Sequence, residues 1–360
     1  MSRVVYLLGA GASYGDRSRD EFGQIRGFTR GLPVVNEFAR ALHILQVGED
    51  QGPGVRFAQG EAEKRGVTLS DYEDVNHKLA QLEKACASFP TIDTLAKQLY
   101  VTDGKFRTSD KDYIDYSRLK RYISAALLMM QSEENRDLRY DGFIASLIDE
   151  QRNFPPMTIL SWNYDVQFEM AYSGYYTETR YIPCLWKELN VLNKMYPTEF
   201  DATKPFAMIK LNGTALFTDN TLETWYVGKK GVNRVTDCFY GGGNLKPFQY
   251  GYKYLNGGNY QNMLSYAWEK GNQVSLHENI EKRVRDTREL IVIGYSFPYV
   301  NNEMDSFILA SMPNLGRVFV QDKNFEDIKE RIEGILEPMG RKVEIVPKNN
   351  LQQFYIPNKF

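Results

Sequence analysis

Four short stretches hold the residues whose types and spacing could do chemistry. They are Gly9-Ala10-Gly11-Ala12-Ser13, Ser161-Trp162-Asn163-Tyr164-Asp165, Leu211-Asn212-Gly213-Thr214 and Gly294-Tyr295-Ser296-Phe297. The first follows the apolar run Val4–Leu8. A buried strand ending in a glycine turn lets backbone N–H groups approach a pyrophosphate, and a following helix N-terminus adds a favourable field. The dinucleotide fingerprint asks for a third glycine three residues on, where Tyr14 stands. Alone, the turn therefore only slightly favours a nucleotide over a plain strand-to-helix connection. Each of the other stretches alone also reads as a capped turn, because Asn and Asp in turns bond their own backbone. Ligands of open parallel sheets gather at the carboxyl ends of strands, so four polar or glycine-bearing strand ends together point to one pocket.

The elements that must position them follow from hydrophobic periodicity. Val4–Leu8 reads as a buried strand and Val34–Gln46 as a helix behind Pro33, a favourable helix-start residue. Between them, residues 14–32 are rich in glycine and arginine and read as a long mobile loop. From Leu69 to Glu150 the pattern is mainly helical, with Val75, Leu79 and Leu82 on one face of Asp71–Lys84 and a similar period in Leu119–Met130. Strands are predicted at Met157–Ser161 and Phe206–Leu211. Residues 218–273 are rich in Gly, Asn and Tyr and read as irregular. The end is regular again: helix Leu276–Arg288, strand Leu290–Gly294, helix Met304–Met312, strand Arg317–Gln321, helix Phe325–Leu336 and strand Lys342–Val346. Alternating strands and helices predict an α/β fold with a doubly wound, Rossmann-like parallel sheet. We read one domain over residues 1–360, with a helical insertion at about 50–150 and an irregular Gly/Tyr-rich insertion at about 218–273.

Composition narrows the function classes. The 360 residues are 42% hydrophobic and 25% charged, as in a packed globular chain. Lys and Arg number 44 against 46 acidic residues, so no electrostatic footprint for nucleic acid is present. No apolar run approaches the ~20 residues that span a bilayer, and Met-Ser-Arg leads straight into a strand without a signal-peptide pattern. A cytoplasmic protein is expected. Cys86, Cys184 and Cys238 lie far apart, so neither a disulfide scaffold nor a metal site is expected.

In sequence order, the glycine-serine turn, the Asn-x-Asp strand end, the glycine after the third strand and the Gly-x-Ser loop resemble the NAD pocket of the sirtuin-like superfamily. Asn163-Tyr164-Asp165 and Gly294-Tyr295-Ser296 are similar to the variants found in bacterial antiviral defence proteins, as is Pro90-Thr-Ile-Asp-Thr-Leu. The resemblance is weak over residues 50–150 and 218–275. It implies that NAD is bound, as substrate, by Gly9, Ala10, Gly11, Ala12, Ser13, Ser161, Gly213, Gly294 and Ser296. It further implies that Asn163 holds the ribose hydroxyls and the attacking water, while Asp165 engages the nicotinamide carboxamide.

Two departures bear on the reaction. Deacylase sirtuins carry a four-cysteine zinc module, which three scattered cysteines cannot supply, and their catalytic histidine matches Asn212 here. His43, His77 and His277, the only histidines, lie outside the matching motifs. Both departures point away from deacylation and toward NAD hydrolysis, with Asn163, Asp165 and Asn212 as catalytic candidates. The runner-up is a catalytically inactive nucleotide-binding sensor subunit, and a Rossmann oxidoreductase ranks last. An NAD hydrolase must be gated, so assembly into a homo-oligomer or with a sensor protein is expected. Trp225, Tyr226, Tyr240, Tyr250, Tyr252 and Tyr254 offer an aromatic partner surface, although local packing explains them nearly as well.

Overall fold

The structure, a computed structural model, describes residues 3–47, 69–131, 136–176, 182–193, 195, 199–219, 234–235, 251, 253–255, 260–269 and 273–358. The chain divides into two compact units, one of residues 1–13, 138–214 and 265–360, the other of residues 14–137 and 215–264.

The first unit is built on a seven-stranded sheet. Its strands are β1 (Val4–Leu8), β2 (Met157–Ser161), β3 (Val191–Asn193), β4 (Ala207–Lys210), β5 (Glu289–Ile293), β6 (Arg317–Gln321) and β7 (Glu344–Pro347). The spatial order is β7-β6-β5-β1-β2-β4-β3, and every neighbouring pair is parallel. This is the doubly wound α/β fold that the alternation of elements predicts. All residues of β1 and β2 are buried, as expected where helices cover both faces of a parallel sheet.

Alternation along the strands divides the core. Val5, Leu7, Leu160, Ile209, Leu290, Val292, Val318 and Val320 share one cluster with Ile280, Ile308, Ile328 and Ile332 from helices Gln273–Val284, Asn302–Ala310 and Phe325–Leu336. In the last helix the buried Ile328, Ile332 and Ile335 fall at the spacing of one helical face. Tyr6 points the other way and meets Phe143 of helix Leu138–Leu147 edge-on, with ring centroids 5.1 Å apart. Phe143 in turn packs on Phe168 of helix Gln167–Ser173 and on Phe354. Helix Leu138–Leu147, within the stretch read as a helical insertion, thus belongs with the sheet. Strand order reverses at β1, because the chain winds through β2, β3 and β4 on one side before β5 returns on the other. Loops leaving β1 and β5 flank that reversal.

The second unit contains helices Phe38–Val47, Leu69–Ala87, Ile92–Thr102 and Tyr116–Met130. The Pro90-Thr-Ile-Asp stretch is its clearest local signal: Thr91 caps the third of these helices by accepting the Thr94 N–H. Residues 14–32, expected as a mobile loop, instead form an antiparallel hairpin, Arg17–Arg19 against Ile25–Phe28. Asp20 closes its turn by accepting the N–H groups of Phe22 and Gln24. Arg17 is buried rather than solvated, because it pairs with Glu37 at 2.9 Å and lies over the rings of Tyr14 and Phe28. Composition marks these residues as polar and says nothing of such partners. In the irregular stretch, Tyr254 is buried, stacked on Phe217 at 4.2 Å and edge-on to Tyr260. Local packing therefore explains Tyr254, while Trp225, Tyr226, Tyr240, Tyr250 and Tyr252 lie outside the described residues.

Candidate functional site

The four chemistry-bearing stretches leave β1, β2, β4 and β5, which are neighbours in the sheet, at their carboxyl ends. Hydrogen bonding draws them tightly together. The Gly9 N–H donates to Ile293, Trp162 N–H to Leu8 and Leu211 N–H to Ser161, each extending the ladder one residue past its strand.

The glycine turn spends several of its backbone donors within the protein. Residues Ala10–Ser13 make a single 3-10 turn rather than a helix. The N–H groups of Gly9, Gly11 and Ala12 are spent on the carbonyls of Ile293, Gly294 and Gly9. Arg139, absent from the sequence reading, donates to the carbonyls of Gly11 at 2.9 Å and Ala12 at 3.3 Å. Glycine is needed here for close approach between two loops. A Cβ on Gly11 would lie 2.7 Å from the Gly294 Cα, and one on Gly294 would lie 2.3 Å from the Gly11 Cα. Gly294 also adopts φ +59°, where a side chain is strained. Gly294→Ala should therefore cost about 3 kcal/mol of stability, from backbone strain and overpacking together. Urea unfolding checks this: an unchanged midpoint would show that the loops part freely. Gly11→Val disturbs the same contact, so it is not a clean probe of nucleotide binding.

Ser13, Asn163 and Asp165 converge. The Ser13 hydroxyl accepts from Asn163 Nδ2 at 3.1 Å and lies 2.9 Å from the Tyr140 hydroxyl. Asp165 accepts the Gln167 N–H at 3.1 Å. Burial pushes its carboxyl above the ordinary aspartate value, against the pull of the Lys210 ammonium, the Ser13 hydroxyl and the Gln167 N–H. The Ser161 hydroxyl accepts the Asn163 N–H at 3.2 Å and so shapes the turn after β2.

Asn212 is bonded to a different segment. Its side-chain oxygen accepts the Ala267 N–H and its carbonyl the Ser265 N–H, both at 2.9 Å. Gly213, at φ +69°, turns the chain away behind it. Ser296 is exposed, and its carbonyl accepts from Arg331 at 2.7 Å. Behind the same loop the Tyr295 ring stacks on Trp162 at 5.5 Å, and its hydroxyl donates to Asp305 at 2.8 Å. His277 packs against Phe307, His77 contacts Asp112, and His43 contacts Glu83. No His, Cys, Asp and Glu cluster with metal-holding geometry occurs among the described residues, and no described helix is long and apolar enough to cross a membrane.

The fold and site together define a doubly wound α/β protein whose carboxyl-edge loops, at the strand-order reversal, bury a Ser-Asn-Asp cluster. No family model matches the chain, and a search of curated proteins finds no relative.

Proposed function

We propose that this chain binds NAD at the carboxyl edge of its sheet and hydrolyses it to nicotinamide and ADP-ribose, as the effector of an anti-phage defence system. The observation that carries the reading is the convergence of Ser13, Asn163 and Asp165 at one point beside the strand-order reversal. In this reaction the C–N glycosidic bond breaks with its electron pair leaving on nicotinamide. The ribosyl cation that remains takes up water, which loses a proton to solvent. Asn163, oriented by Ser13, holds the ribose hydroxyls and the water, and the Asp165 carboxylate stabilises the cation. A cation so electrophilic does not need a fully formed hydroxide. A general base contributes ~10²–10⁴-fold, so its loss slows the reaction while electrostatic and positioning effects remain. The protein works in the cytoplasm, and a homo-oligomer or a sensor partner gates it.

One observation favours a second reading, an inactive NAD-binding sensor subunit. The Asn212 amide oxygen, where the family's histidine would act, is already committed to Ala267, so it supplies no base. Mixing the purified chain with NAD, with and without the products of neighbouring genes, separates the two. Nicotinamide release in the assembled sample supports the hydrolase. Calorimetric NAD binding without release in either sample supports the sensor. Full-rate hydrolysis by the isolated monomer would eliminate gating.

A further inference from the structure

A buried ion pair underlies Asp165 and takes no part in the steps above. Lys210 ends β4, and its ammonium lies 3.0 Å from Glu169 Oε1 and 3.2 Å from Oε2. Its remaining contact is to the Asp165 backbone carbonyl, to which it donates at 2.7 Å. The ammonium's three donors are thereby used. Trp186 holds the far side of the pair, its indole N–H donating to Glu169 Oε1 at 3.0 Å. The Lys210 and Glu169 side chains are 2% and 0% exposed. Desolvating such a pair is costly, and apolar residues of the same volume often stabilise a fold as well or better. Stability alone is thus a poor reason for placing it at the end of β4, one residue before Leu211-Asn212-Gly213.

We propose that Lys210 is a positioning residue for Asp165: it anchors the Asp165 backbone and so fixes where the carboxylate sits, while Glu169 and Trp186 hold the ammonium in place. The inference rests on reading Asp165 as the group that faces the ribosyl cation. The groups that face Asp165 are Lys210 from β4, Glu169 and the Gln167 N–H from the following helix, and Ser13 from the glycine turn. Burial favours the neutral carboxyl, the Lys210 charge is the largest force favouring ionisation, and Glu169 works against ionisation. Removing Lys210 and neutralising Glu169 should therefore have opposite effects on one proton.

The test follows the Asp165 carboxyl by NMR of the full chain labelled with carbon-13 aspartate, the signal being assigned by its absence in Asp165→Asn. The pH profile of nicotinamide release is recorded in parallel. In Lys210→Met, the Asp165 titration and the acid limb of turnover should both move to higher pH, and turnover at neutral pH should fall. In Glu169→Gln both should move to lower pH. Because Lys210→Met strands a buried carboxylate, the double variant Lys210→Met/Glu169→Leu is included. It leaves no unpaired charge and should still show the upward movement. An Asp165 titration that stays in place in both the double variant and Glu169→Gln overturns the proposal. If the titration moves as expected but the parent protein releases no nicotinamide, Lys210 still positions Asp165 and it is the hydrolase reading that fails.

Discussion

Asp165→Asn is expected to lower nicotinamide release by roughly 10²–10³-fold in kcat while leaving the protein folded. The substitution keeps the shape of the side chain, so an amide oxygen can still accept the Gln167 N–H. It removes the charge that would face the ribosyl cation, an interaction made in the transition state more than in the ground state, so KM should change little. Stability should not fall. Burial already disfavours the charged form of Asp165, so a neutral isostere relieves a desolvation cost. The linked pH dependence has a definite sign. A carboxyl whose folded pKa is raised binds its proton more tightly in the native state, so ionising it costs stability as pH rises from the ordinary aspartate value to the raised one. Asp165→Asn should flatten that loss. Asn163→Ala should also abolish cleavage and, unlike Asp165→Asn, leave Ser13 short of one donor. Thermal melts with nicotinamide assays check both variants. Parent-rate cleavage by Asp165→Asn would remove the carboxylate from the chemistry.

The largest loss of stability is expected at the opposite edge of the sheet. Arg283 is 2% exposed. Its guanidinium donates to the carbonyls of Met157, Ala202, Lys204 and Pro205 and to the Thr158 hydroxyl. These partners lie at the amino ends of β2 and β4, away from the carboxyl-edge loops. Burial pushes the guanidinium pKa down to about 10, with the Asp201 charge working the other way, so the group stays charged at neutral pH. Arg283→Met removes every one of those donors and fills the space with an apolar chain. Each buried acceptor left without a partner costs about 1–3 kcal/mol, tempered by water entry, so a loss of about 4 kcal/mol is expected. Denaturant unfolding should show a lower midpoint at unchanged slope. A change below about 1 kcal/mol would mean that water replaces the guanidinium without penalty.

Most of the parallel sheet was legible in the sequence because its signals are local, whereas the three-residue edge strand β3, Val191–Asn193, carried no such run and was not predicted. A run such as Val4–Leu8 or Leu290–Ile293, bounded by polar or glycine residues, declares a strand buried on both faces without reference to anything distant. Helix Phe325–Leu336 likewise carries its buried face in its own spacing. Those runs also announced which strand ends carry polar residues, and hence that Ser13, Asn163, Asp165 and Asn212 were worth watching. The roles of these side chains were decided elsewhere. Ser13 meets Tyr140 across 127 positions and Asn163 across 150, and no periodicity reaches that far. Lys210 and Glu169 look like ordinary charges until two adjacent elements bury them against each other. Gly9-Ala10-Gly11 read as a turn that phosphate or a plain connection could use, and only the structure shows the backbone of Gly294 packed against those glycines. The Arg17 and Arg283 side chains are buried against specific acceptors that no local pattern names. Secondary structure follows from neighbours a few residues apart, whereas hydrogen-bond partners, burial and charge pairing arise only where the sheet's winding brings remote segments together. That winding set the elements of the site side by side, and the side chains meeting across them determine what each residue there can do.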